Sequence, residues 1–190
     1  MFFALRKARG EKSAFLAVDY SFDDVKDPII IDRADIVPRT FMNGLQFALS
    51  PGLLEDSISN DIWYLLSSRV VDVLKTARNA EDLNVVPLPS DVQKLNQNLT
   101  GYSAIGIRKQ LECLDRVASD VRWSSDGRSA DAVFDAVIVG DRVPQNCDVF
   151  LLKEWPVVPI LRDTLGRKLQ ELRITGLKLQ PFGTSTPLQD

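Results

Sequence analysis

Apolar positions fall into short runs separated by polar punctuation, and the spacing within each run predicts its element. Residues 2–8 and 12–19 read as strands, and Gly10 between them suggests a hairpin. A stretch rich in Asp follows, read as loop, a short strand at Ile29 to Ile31, and loop ending near Pro38. Residues 40–49 read as a further strand, broken by Pro51-Gly52. Ile62 to Leu66, with Trp63 and Tyr64 inside it, has the composition of a buried strand. Ser67 or Ser68 then offers an N-cap oxygen. Val70, Val71, Leu74 and Ala77 follow at helical spacing, predicting an amphipathic helix over 69–78. Leu83 to Pro87 returns as a strand, and the polar 89–100 segment reads as loop.

Tyr102 to Leu114 alternates well enough to predict one long strand or hairpin arm. Trp123 to Gly127 has the residues of a turn, and Ala132 to Val139 and Asp148 to Leu152 those of strands. Leu161, Leu165, Leu169 and Leu172 share one face of a second helix, about 161–172. Gly176 fits the turn out of that helix, and Leu177 and Leu179 alternate into a last strand. From Phe182 the Gly/Ser/Thr/Pro composition predicts a frayed tail. The sum is an α+β fold: a mixed, mostly antiparallel sheet with two principal helices, in one domain over 1–181 with a flexible tail over 182–190. A shift of 94 residues superposes the two strand–helix–strand units, bringing Leu66 onto Ile160, Val71 onto Leu165, Leu83 onto Leu177 and Pro87 onto Pro181. This suggests an internal repeat, against the alternative of two amphipathic units alike by chance.

The 190 residues are 45% hydrophobic and 26% charged, enough to bury a core without disulfide or metal staples. The net charge of −3 argues against non-specific nucleic-acid binding, which needs a clustered basic surface. Arg162, Arg167, Lys168 and Arg173 lie close together, but Asp163 and Glu171 among them read as a solvated helix face. Cys113 and Cys147 form no CxxC motif and read as small apolar fillers in strands. Phe2 to Leu5 is short and its basic residues follow it, so it does not read as a signal peptide. No apolar stretch approaches the ~20 residues of a membrane span. A cytoplasmic location is therefore expected.

The chain has no histidine. That removes Ser-His-Asp and Cys-His catalysis and most zinc sites. No glycine belongs to a phosphate-binding loop. A carboxylate-only site needs at least two converging acids; the paired carboxylates Asp23-Asp24 and Glu55-Asp56 could bind a metal in principle, but both read as solvated loop charges. No cofactor, metal or catalytic residue is expected.

Three blocks carry a resemblance. The first runs from Ile62 through Ser67-Ser68-Arg69 to Leu74. The second joins Tyr102-Ser103-Ala104-Ile105-Gly106-Ile107 to Leu111-Glu112-Cys113-Leu114-Asp115, with Ser119 shortly after. The third runs from Val149-Phe150-Leu151-Leu152 through the 161–172 helix to Thr175-Gly176-Leu177-Lys178-Leu179. Over about residues 60–180 the chain resembles a family of bacterial domains long described as of unknown function. That family is now grouped with the immunity proteins of polymorphic toxin systems and typified by a myxobacterial immunity protein. Phe150-Leu151 stands where the family often has Phe-Arg, and Pro159-Ile160 where it often has a Ser cap. The resemblance implies inhibition by binding: an immunity protein caps a cognate toxin and protects its own cell in bacterial competition.

The candidate contact residues are Asp23, Asp24, Asp27, Asp32 and Asp35, whose acidic segment could fill a basic cleft, and Trp123 and Trp155. Trp123 lies beside a polar turn and Trp155 before a proline, so both are expected to be partly exposed. Trp63 and Tyr64 read as core. The competing reading is a non-catalytic adaptor or structural component of a secretion or phage-like assembly. Homodimers are common among soluble proteins, which makes a dimer an expectation of class alone.

Overall fold

The first strand, β1 (Phe2–Lys7), buries Phe2, Phe3, Ala4 and Leu5 in succession. A strand apolar on both faces belongs in the middle of a sheet, and β1 lies between two neighbours. The structure, a computed structural model, describes residues 1–8, 13–14, 16–19, 46–58, 64–88 and 90–185. It contains β2 (Leu16–Asp19), β3 (Gln46–Leu49), β4 (Ser57–Ile58), β5 (Tyr64–Ser67), helix α1 (Ser68–Leu74), β6 (Leu83–Pro87), helix α2 (Ser90–Leu95) and β7 (Tyr102–Ile107). There follow β8 (Gln110–Leu111), β9 (Asp120–Trp123), β10 (Ala130–Asp135), β11 (Val137–Val139), β12 (Val149–Leu152), β13 (Pro159–Arg162), helix α3 (Asp163–Glu171) and β14 (Leu177–Ser185).

A six-stranded sheet has the order β11-β14-β1-β13-β12-β8, and a four-stranded sheet the order β4-β5-β7-β6. The pairs β9–β10 and β2–β3 complete the strands. Among the described strand pairs, β11–β14 and β12–β8 are parallel and the rest antiparallel. The fold is thus α+β with a mixed, mostly antiparallel sheet arrangement.

The period of two sorts the core. Phe2 and Ala4 face one side of β1 with Phe150, Leu152, Ile160 and Phe182, in one cluster with Val133 of β10 and Ile138 of β11. Leu5 faces the other side with Val149, Leu151, Leu161 and Leu177. There it meets Val70, Val71 and Leu74 of α1, Leu165 and Leu169 of α3, and Leu66, Ile105 and Ile107 of the smaller sheet. Gly166 lets α3 sit close over β1, because a Cβ there would lie 2.3 Å from the Phe3 ring.

Several sequence expectations are corrected. β1 does not pair with β2: its neighbours are β13 and β14, while β2 pairs with β3. The run 102–114 divides at the polar Arg108-Lys109 pair, and β7 and β8 enter different sheets. The polar 89–100 segment contains α2 and the start of a 3-10 turn (Gln97–Gly101). Residues 161–162 belong to β13, with Leu161 opposite Phe3, so the second helix starts at Asp163. The first helix ends at Leu74. The tail is shorter than expected, because β14 runs on to Ser185, buries Phe182 and pairs with β11. The short strand at 29–31, Trp63, and residues 186–190 lie outside the described residues.

The two strand–helix–strand units share one pairing. β5 and β6 both run antiparallel to β7 between them, and β13 and β14 both run antiparallel to β1 between them. The 94-residue shift holds for the strand after the helix, where Val85 faces Ile105 and Leu179 faces Leu5. Before the helix the match is one residue longer: Leu66, opposite Ser103, corresponds to Leu161, opposite Phe3.

Candidate partner-binding surface

The strongest electrostatic feature is a pair of buried aspartates. Asp56, just before β4, is 5% exposed and so is not a solvated loop charge. Its carboxylate pairs with the Arg69 guanidinium, accepts a 2.8 Å hydrogen bond from the Ser67 hydroxyl, and accepts another at 2.8 Å from the Thr175 amide. Ser67 stands at the N-cap of α1, but its hydroxyl serves Asp56 instead of the helix. Burial pushes the Asp56 pKa up. The hydrogen bonds from Arg69, Thr175 and Ser67 and the Arg69 charge outweigh it and bring it down to about 2.

Asp148, before β12, is equally buried. It accepts from the Arg78 amide at 2.9 Å and from the Arg78 guanidinium at 2.5 Å, and Arg162 Nε lies 3.5 Å away. The Arg78 hydrogen bonds hold its pKa low against burial. The Asn79 side chain accepts from the Asp148 and Val149 amides at 2.8 and 3.2 Å and donates to the Val149 carbonyl at 2.8 Å. Both aspartates are thus committed to holding segments together. Among the described residues no group of three or more Cys, Asp or Glu is placed to hold a metal ion.

Burial disfavours the thiolate form of both cysteines, pushing Cys113 up to about 12 and raising Cys147. Both fill the core as the sequence suggests, but they lie just outside strands. Glu154 is buried, its Oε2 has no hydrogen-bond partner among the described residues, and burial raises its pKa.

Among the described residues, the β9–β10 hairpin and the turn before it are exposed yet ordered by their neighbours. Asp115 accepts from the Val117 and Ala118 amides at 3.1 Å each and from the Ser185 hydroxyl at 2.7 Å. These bonds fix a turn that holds Val117 out at 96% exposure. The adjacent Arg116 lays its guanidinium 4.0 Å over the Trp123 ring and donates to the Gly127 carbonyl in the hairpin turn. That turn is closed by Asp126, which accepts from the Ser124 hydroxyl at 2.5 Å and the Arg128 amide at 2.9 Å. On β10, Val133 points into the core, so Phe134 points out, 57% exposed. The turn therefore presents Val117 and a cation stacked on an indole that is half-buried against the core with Val121, while Phe134 stands out from the opposite face of β10.

Of the residues singled out in the sequence, Trp123 sits on this surface. Trp155 does not. It is buried in the core with the Arg6 guanidinium 5.2 Å above its ring, and Arg6 also donates to the Val133 carbonyl at 2.8 Å. The expectation of partial exposure fails because the covering residue lies at the far end of the sequence. Tyr64 is half-buried, its hydroxyl donating to the Leu5 carbonyl at 2.9 Å. Asp23, Asp24, Asp27, Asp32 and Asp35 lie outside the described residues. Sequence reasoning missed Arg116, Val117 and Phe134. The period of two places Phe134 opposite in direction to Val133, which was the available signal.

No helix among the described residues is long and apolar enough to cross a membrane. No protein-family model matches the chain, and no curated protein matches it.

Proposed function

We propose that the chain is an immunity protein that binds and neutralises a cognate bacterial toxin by occlusion, without catalysis, in the cytoplasm of the cell it protects. The observation that carries this reading is the exposed turn at Arg116 and Val117, whose cation stacks on Trp123, with Phe134 standing in solvent on the outer face of β10. Trp and Arg dominate interface hot spots because they combine large contact area with directed polar groups. Exposed valine and phenylalanine gain free energy when a partner covers them. The three-block resemblance to the immunity family supports the same reading. The absence of histidine and the raised thiol pKa values agree with it.

The test is protection. The product of the gene encoded beside this one is expressed with and without this protein, and with its Trp123→Ala and Phe134→Asp variants. The reading expects growth arrest by the neighbour alone, rescue by the wild type, and loss of rescue by the double variant at a temperature where circular dichroism shows it still folded. A neighbour that is harmless and does not bind would favour the adaptor reading instead.

A further inference from the structure

The inner four strands of the larger sheet repeat the smaller sheet. The orders β12-β13-β1-β14 and β4-β5-β7-β6 match strand for strand, every neighbour antiparallel in both. The registers match as well. Ser57 faces Leu66 as Val149 faces Leu161, and Leu83 faces Ile107 as Leu177 faces Lys7. α1 leaves β5 directly and α3 leaves β13 directly, and the two helices pack on each other.

The aspartate locks fall on equivalent positions. Asp56 precedes β4 and Asp148 precedes β12. The Asp56 carbonyl accepts from the Ser67 amide at 2.8 Å, and the Asp148 carbonyl accepts from the Arg162 amide at 2.8 Å. Each carboxylate is then held by the segment following the helix of the other unit. Thr175, after α3, donates its amide to Asp56 at 2.8 Å, and Arg78, after α1, donates its amide to Asp148 at 2.9 Å. In return the Asp56 amide donates to the Thr175 hydroxyl at 3.1 Å, and the Asp148 amide to the Asn79 side-chain oxygen at 2.8 Å. Such reciprocal contacts are the signature of an isologous two-fold interface.

One difference separates the units. The first is continuous in sequence: β4, β5, α1, β6, β7. The second takes its central strand, β1, from the start of the chain. Phe2 pairs with Phe182, so the end of β14 lies beside the start of β1, as β6 lies beside β7.

We infer that the chain is an internal duplication with one copy circularly permuted, and that its two halves meet through α1, α3 and the exchanged aspartate locks as the subunits of a homodimer would. The occupant of the self-association face is the other half of the same chain. The molecule is therefore monomeric, and the break between β14 and β1 is equivalent to the connection between β6 and β7.

The experiment uses the whole chain. A short Gly/Ser linker joins Asp190 to Met1, and the closed sequence is reopened at one of three places: between Asn96 and Gln97 in the β6–β7 connection, between Asp126 and Gly127 in the exposed hairpin turn, or between Arg78 and Asn79 at the Asp148 lock. Mass by light scattering and thermal melting are read for each. The first two permutants are expected to be monomers that melt within about 5 °C of the parent, and the third to lose cooperative melting. Aggregation of the first permutant while the second folds would overturn the equivalence of the two breaks. Failure of both would overturn the adjacency of β14 and β1 on which it rests. A third permutant as stable as the first would show that tolerance is general and not set by the repeat. A dimeric parent at micromolar concentration would overturn the claim that the self-association face is filled.

Discussion

Replacing Asp56 with asparagine removes one charge at the point where the two units exchange contacts. The carboxylate is pulled from 3.8 to about 2 in the folded chain. At about 1.4 kcal/mol per pKa unit, that shift is worth roughly 2 kcal/mol of stability near neutral pH. The asparagine amide also turns a donor toward the Arg69 guanidinium, which contacts both carboxylate oxygens and can only donate, and this adds about 1 kcal/mol. Arg69 is half exposed, so water takes up its freed charge and the cost stays near this sum. A chain of this length loses about 2–4 °C per kcal/mol, so Asp56→Asn should melt about 6–12 °C below the wild type near pH 7. The folded pKa lies below the unfolded one. The contribution is therefore complete above the unfolded value of 3.8 and is lost as pH falls toward about 2. Urea unfolding should show a gap constant down to about pH 5 and reduced to about two thirds near pH 3, where the charge contribution is roughly halved. A gap below about 0.5 kcal/mol at neutral pH, or one that does not narrow in acid, would refute the assignment of Asp56 as a charged lock.

Three further outcomes follow from the packing. Gly176→Ala should destabilise by at least ~2 kcal/mol in thermal melts, since Gly176 has a φ of 72° and a Cβ there would lie 2.5 Å from the Ser57 carbonyl oxygen. Gly166→Ala should cost about 1–3 kcal/mol despite the better helix propensity of alanine, because the Phe3 ring has to move. Neither Cys113 nor Cys147 should react with a thiol reagent at about pH 8 until the chain unfolds, and rapid labelling of the native protein would contradict their burial. Burial raises the Glu154 pKa in the folded state, so its ionisation weakens the fold as pH rises. Glu154→Gln should be the more stable protein at neutral pH, with the advantage vanishing in acid, and an unchanged melting temperature at both ends would count against that reading.

Elements whose pattern is local were legible in the sequence. Leu83 to Pro87 and Asp148 to Leu152 were read as strands and are β6 and β12 with at most one residue of difference. The start of the second helix was misplaced because Leu161 satisfies two patterns at once. It lies four residues before Leu165, at helical spacing, yet its partner is Phe3 across a strand pair. The tail was misread for a similar reason: Phe182 stands among Gly, Ser and Thr, and only β1 and β11, distant in sequence, show why it is buried. The aspartate locks had no local sign, since Asp56 and Thr175 are 119 residues apart. The repeat was visible as apolar classes in register. Its permuted form was not, because that depends on β1 entering the second unit. Trp123 was legible as partly exposed through the turn beside it, whereas Trp155 was not legible as core, because Arg6 covers it from the other end of the chain.

The most direct measurement of the central claim is a calorimetric titration of this protein with the purified product of the neighbouring gene, set beside the same titration of Trp123→Ala. The account predicts a one-to-one complex with nanomolar affinity, weakened at least about tenfold by the variant while its fold is retained. No heat of binding, or equal affinity for both proteins, would contradict it: the first would remove the toxin-neutralising reading, and the second would move the contact away from the hairpin.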